Sequence, residues 1–146
     1  MSKFMKTLNN ISRAQAIYRK SRLSAVDLLP SHYAFVLAIC HRPGRSQDEL
    51  ARELCLNKST VARKLSSLEE KGYLYRTPDS DDRRQLFVYP SEKMQAVLPE
   101  IQAASEEWMR VLCEGIAQEE LDVFDSVLRR MQQKAREMIE GQEENK

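Results

Sequence analysis

Apolar positions recur at helical spacing along both ends of this chain and at strand spacing only near its middle. Phe4, Leu8, Ile11, Gln15 and Tyr18 follow one another in steps of four, three, four and three, which predicts one amphipathic helix up to about Ser21. Pro30 marks a loop, and the apolar stretch Ser31 to Cys40 predicts a second helix that stops before Pro43-Gly44. Two short helical patterns follow, Ser46 to Leu54 and Lys58 to Lys71, broken at Leu54-Cys55-Leu56. Tyr73-Leu74-Tyr75 and Gln85 to Tyr89 are strand-like, and between them Thr77 to Arg84 is rich in turn formers. Together they predict a β-hairpin with a loop longer than two residues. Beyond it a long helix carries Met94, Val97, Leu98, Ile101, Ala104 and Trp108 on one stripe. Gly115 interrupts, and a last helix places Leu121, Phe124, Leu128, Met131, Ala135 and Met138 at alternating steps of three and four, close to a heptad seam. The polar tail Gly141 to Lys146 is expected to fray. The fold class is therefore mainly α with a small β-hairpin.

The middle of the chain carries sharp helix boundaries. Ser46-Gln47-Asp48-Glu49 is a capping box, in which Ser46 accepts from a freed backbone N–H and Glu49 reaches back. Asn57 is a good N-cap for the next helix, and Leu56 and Val61 are spaced to staple its entry. Gly72 stands in the C′ position that ends it. Two short helices joined this tightly form a helix-turn-helix, whose second helix commonly lies in the DNA major groove.

Composition adds a division of charge. The 146 residues fit one domain with helical extensions, and 42% hydrophobic residues suffice for a modest core. Net charge is only +1. Met1 to Pro90, however, holds 16 Lys+Arg against 9 Asp+Glu, and Ser91 to Lys146 holds 7 against 13. A front at +7 and a back at −6 suit a protein that meets a polyanion with one part only. No apolar run is long enough to span a bilayer, and the polar N-terminus does not read as a signal peptide. Cys40, Cys55 and Cys113 are scattered and odd in number, which points to reduced thiols in a cytoplasmic protein. His32 and His41 lack metal-ligand spacing with any cysteine, so no metal or other cofactor is expected. With no nucleophile–base pairing and no Gly-rich phosphate loop, catalysis is not expected either.

On the second helix of the pair, Val61, Leu65 and Leu68 form the buried stripe. Ser59, Arg63, Ser66 and Glu70 lie opposite, flanked by Thr60 and Ser67. Ser59, Thr60, Arg63 and Ser67 are the candidates for base edges, since Arg bonds guanine bidentately and Ser or Thr adapts to either base type. Lys58 and Lys64 are placed to meet phosphates. In the hairpin loop, Asp79, Asp81 and Asp82 would repel phosphate unless one or two of them hold Arg83 or Arg84 in a fixed direction. A pre-oriented arginine there suits a narrow minor groove.

Asp48-Glu49-Leu50-Ala51, Asn57 to Arg63, Leu68 to Leu74 and Asp81-Asp82-Arg83-Arg84, in this order and spacing, resemble the MarR family of bacterial winged-helix regulators. The resemblance covers nearly the whole chain. It implies a winged helix-turn-helix at 31–90 for DNA binding, flanked by dimerisation helices at 1–30 and 91–146. It also implies a homodimer on a pseudo-palindromic duplex. Arg63 would read the major groove, and Arg84 would sit at the wing tip with Asp82 as its holder. Pro90, and Ala117 in place of a Ser or Thr cap, depart from the family pattern and bear only on helix entry. The implied function is a transcriptional regulator, a repressor released by a small aromatic or anionic effector. Tyr18, Arg22, His32 and Tyr33 are the pocket candidates by position, although His32 and the tyrosines also suit simple packing and capping of the second helix. Relatives that sense oxidants through a thiol at the end of the first helix have no counterpart here, since no cysteine precedes Cys40. Cys55 in the turn is the thiol whose oxidation could disturb DNA binding. The apolar stripes of the first and last helices exceed what one such subunit covers, which also favours a dimer. The alternative is a winged helix that binds protein instead of DNA, against which the basic front and the arginine-bearing wing argue.

Overall fold

The computed structural model describes residues 3–143. Six helices and three short strands follow in the order α1 (Lys3–Arg22), α2 (Tyr33–His41), β1 (Arg45–Ser46), α3 (Gln47–Leu54), α4 (Lys58–Glu70), β2 (Leu74–Pro78), β3 (Leu86–Pro90), α5 (Glu92–Leu112) and α6 (Gln118–Glu143). A single 3-10 turn, Pro30–His32, leads into α2.

The expected hairpin is part of a three-stranded antiparallel sheet ordered β1-β3-β2. Tyr75 faces Tyr89 and Arg76 faces Val88 across β2 and β3, while Arg45 faces Val88 from the other side. β1 escapes sequence reading because it is two residues long and its second residue is also the N-cap of α3. Its approach depends on Gly44, which adopts φ +81 and brings its backbone against the Tyr89 ring. A Cβ there would lie 3.1 Å from Tyr89 Cε1, so the position needs glycine for both conformation and space.

The core gathers Tyr33, Phe35, Val36 and Ile39 of α2, Leu50 of α3, Val61, Leu65 and Leu68 of α4, Val88 of β3, and Met94, Ile101 and Ala104 of α5. The first half of α5 thus shares the core of the helix-turn-helix module, and that core runs on past residue 90. α5 continues through Pro99, whose missing N–H would ordinarily break a helix, because Met94 and Ile101 are fully buried on either side of it. After Gly115, at φ +79, the chain turns into α6.

Among its described residues α6 has none that is fully buried. Its C-terminal part returns to α3, where Arg52 Nε meets Glu140 Oε1 at 2.9 Å and Arg136 Nη2 donates to the Glu53 carbonyl at 3.3 Å. The helix runs through Gly141 to Glu143, beyond the point where fraying was expected. One glycine in a last turn costs about 1 kcal/mol, too little to unwind so long a helix. The rest of that tail, residues 144–146, lies outside the described residues.

Candidate nucleic-acid interface

Reciprocal capping sets the angle of the helix pair. Ser46 Oγ accepts from the Glu49 amide and Glu49 Oε2 accepts from the Ser46 amide, both at 3.1 Å. α3 ends at Cys55, which at φ 52 takes the left-handed conformation usually left to glycine. That kink reverses the chain within three residues, and Leu56 N–H closes it on Ala51 O at 3.0 Å. Asn57 Oδ1 then accepts from the Thr60 amide at 2.8 Å and from Ser59 Oγ at 2.9 Å, so the cap also orients the Ser59 hydroxyl. At the far end Tyr73 N–H reaches Leu68 O and Gly72 N–H reaches Glu69 O, both at 2.9 Å, with Gly72 at φ +79. This is a Schellman stop, with Leu68 and Tyr73 buried together.

Between these stops α4 buries Val61, Leu65 and Leu68 completely and turns Ser59 and Arg63 to solvent, with Thr60 half-buried beside them. Arg63 Nη2 lies 3.4 Å from Thr60 Oγ1, which keeps the guanidinium along the same face. Ser67 is half-buried at its edge. Ser66 belongs to a different contact, since its hydroxyl accepts from Arg76 at 3.1 Å. Lys58 Nζ stands 3.5 Å from Asp48 Oδ2, and Lys64 Nζ donates to Ser31 Oγ at 2.8 Å. Both amines therefore rest on surface partners that phosphate could replace.

The wing loop is held by its own aspartates. Asp82 Oδ1 accepts from both the amide and the Nε of Arg84, at 3.1 and 3.2 Å, and the Arg84 side chain remains 92% exposed. Asp79 Oδ1 accepts from the Asp81 amide at 3.0 Å, and the Asp79 amide closes the loop on Gln85 O at 2.9 Å. The structure thus pairs Asp82 with Arg84, and leaves Arg83 exposed next to them.

Two arginines that sequence reading passed over organise this surface. Arg76 on β2 reaches Glu69, Ser66 and Gln47, tying the wing to α4 and α3. Arg45 is 5% exposed, and its guanidinium bonds the carbonyls of Ala38 and Arg42 and the carboxylate of Glu53. Burial pulls the Arg45 pKa down, with Arg42 acting in the same direction and Glu49 opposing it. The sequence signal for Arg76 was an arginine at an inward strand position, with Glu69 on the last turn of α4.

The four pocket candidates fall into two groups. Tyr18 Oη donates to Glu107 Oε2 at 2.7 Å and Arg22 Nε to the same oxygen at 3.2 Å, joining α1 to α5. These two bonds hold the Glu107 carboxyl below its usual range. His32 and Tyr33 are buried, and His32 Nδ1 accepts from the Leu29 amide at 3.4 Å. Burial, then Lys64 and Lys71, push the His32 pKa down against the pull of Asp27. The three thiols are free and half-buried, and burial raises the Cys40 pKa. No helix among the described residues is long and apolar enough to cross a membrane.

Residues 26–85 match the model of the MarR family. The HTH-type transcriptional regulator YybA of Bacillus subtilis (strain 168) is 25% identical over 131 residues, 90% of this chain and 87% of that protein. The crystal structure of MarR superposes with a TM-score of 0.78 at 28% identity, covering 97% of this chain and 98% of that one. A MarR family regulator from Listeria monocytogenes, solved with a 26mer DNA, shares the fold with a TM-score of 0.87 at 20% identity, over 94% of this chain and 91% of its own. With the capped helix pair, the three-stranded wing and the flanking helices all in place, the chain has the fold of MarR family winged helix-turn-helix regulators, and its residues 26–85 match that family's model.

Proposed function

We propose that this regulator is a repressor that binds a pseudo-palindromic duplex as a homodimer and responds to a small effector. The observation that carries this reading is a pair of arginines held toward solvent, Arg63 beside Ser59 and Thr60 on α4 and Arg84 fixed by Asp82 on the wing. Arg63 suits guanine in the major groove, with Ser59, Thr60 and Ser67 adapting to its neighbours. Arg84 and Arg83 suit the adjacent minor groove, and Lys58 and Lys64 the phosphates. The DNA complex of the Listeria relative, which shares this fold, supports the same docking.

Homodimerisation is supported by the apolar side chains left outside the core. Phe4, Ile17, Met109, Val111, Val123, Phe124 and Met131 are all exposed on α1, α5 and α6. Helices at 1–30 and 91–146 would cover one another across a two-fold axis, presenting two modules at 31–90 to successive half-sites. A dimer filling both grooves excludes other proteins from that duplex, which is how it would repress in the cytoplasm.

The test is fluorescence anisotropy on the upstream DNA of its own gene and on a scrambled duplex, at two salt concentrations. Preference for the native duplex, with affinity falling steeply with salt, is expected. Equal and weak binding to both, together with a stoichiometric protein partner on co-purification, would favour the protein-binding alternative.

A further inference from the structure

We infer that Asn57 fixes the hydrogen-bonding polarity of Ser59, so that Ser59 meets DNA only as an acceptor and selects a base by its exocyclic amino group. This rests on the reading, proposed above, that α4 enters the major groove, and narrows what α4 selects there. Asn57 Oδ1 accepts from the Thr60 amide at 2.8 Å, so the atom in that place is the carbonyl oxygen of the side chain and not its amino nitrogen. Ser59 Oγ lies 2.9 Å from the same oxygen. Two oxygens that close share a proton, and an amide oxygen has none to give. The proton is therefore the one on Ser59, and it points back into the helix cap.

A serine hydroxyl has one proton and two lone pairs, and when free to rotate it serves either kind of base edge. Bound to Asn57 it keeps only lone pairs for an outside partner. Ser59 is exposed in the first turn of α4, the part of a helix-turn-helix's second helix that meets base edges. The major-groove donors are the N6 amino group of adenine and the N4 amino group of cytosine. Purine N7, guanine O6 and thymine O4 are acceptors, and would face Ser59 lone pair against lone pair.

Swinging the hydroxyl outward to donate breaks one hydrogen bond to make another. It gains nothing over a base that brings its own donor. Thr60 is not equivalent, since its oxygen accepts from Arg63 Nη2 at 3.4 Å. Arg63 on the same face has donors only, which suit the acceptors that Ser59 refuses.

The experiment selects bound duplexes from a random library with the full chain and with Ser59→Ala. The base pair whose preference Ser59→Ala relaxes is the one that Ser59 meets. Anisotropy then compares base analogues at that pair. N6-methyladenine or N4-methylcytosine keeps Watson–Crick pairing and replaces the major-groove amino hydrogen with a methyl group. A 7-deazapurine, or a thio-carbonyl at O4 or O6, weakens an acceptor instead. Methylation should weaken binding roughly two- to tenfold, the loss of one neutral hydrogen bond, and the acceptor analogues should change nothing that Ser59 controls. Ser59→Ala should erase the methylation penalty. Asn57→Gly, a serviceable cap without the Oδ1 acceptor, should shrink discrimination at that pair alone, and Asn57→Asp should retain it. Circular dichroism checks that all three variants fold.

An acceptor-analogue penalty that Ser59→Ala abolishes overturns the inference, as does a methylation penalty that survives in Ser59→Ala. Equal losses on every duplex in Asn57→Gly would reduce Asn57 to a helix cap and overturn its positioning role. A consensus untouched by Ser59→Ala would overturn the inference while DNA reading by α4 stands. No consensus from the native chain would sink that reading and the inference with it.

Discussion

Arg76 of the wing and Glu69 of α4 are joined three times. Arg76 Nε and Nη2 donate to Glu69 Oε2 at 3.1 and 2.7 Å, and the Arg76 amide donates to Oε1 at 3.1 Å. Nη1 goes on to Gln47 at 2.8 Å, so one guanidinium links β2, α4 and α3. Glu69→Ala would strand this half-buried cation. It should cost about 1–3 kcal/mol in urea unfolding, the range for losing a charged hydrogen-bond partner partly screened by solvent. A loss under about 0.5 kcal/mol would show that the linkage adds nothing beyond an ordinary surface pair.

The proposed DNA-reading surface would separate into specific and non-specific parts. Arg63→Ala should cost about 1–3 kcal/mol on the preferred duplex and relax preference at one base position. Lys58→Ala should weaken all duplexes alike and lower the slope of log affinity against log salt by about 1. Arg63→Ala with Arg84→Ala leaving specific binding intact would mean that another surface meets the DNA.

His32 gives the fold a dependence on acid. Its pKa is lowered in the folded protein, so between that value and the ordinary one, about 6.5, the unfolded chain holds more protons. Its contribution is therefore complete above the ordinary value and lost as pH falls below it. His32→Asn keeps an acceptor near Nδ1 but does not titrate. Urea midpoints should fall less for this variant than for the native protein between about pH 7 and about pH 5. Parallel pH profiles would assign the loss to other groups.

Phe124 is 50% exposed in the single chain, so replacing it should spare the subunit and strike only an interface. Phe124→Asp is expected to give folded monomers in sedimentation velocity and weaker operator binding. An intact dimer would remove α6 from the interface.

The helix pair was legible because its boundaries are local. Ser46 with Glu49, Asn57 with Thr60, and Gly72 each act within a few residues, and each lies where the spacing put it. Pairing of Asp82 with Arg84 was narrowed by the same short range. The third strand, the left-handed Cys55 and the buried Arg45 were not legible. Each depends on chain brought from a distance, and Arg45 looks in sequence like one more surface cation. Lys64 likewise shows no sign of its partner Ser31, 33 residues earlier.

Buried Arg45 separates two responses to salt. Added ions collect around exposed charges such as Arg84, 92% exposed, and mask them. They have little access to a guanidinium 5% exposed among the Ala38 and Arg42 carbonyls and Glu53. Raising ionic strength should therefore peel the protein from its duplex long before it loosens the module, so dissociation can be followed as a reversible event of an intact fold.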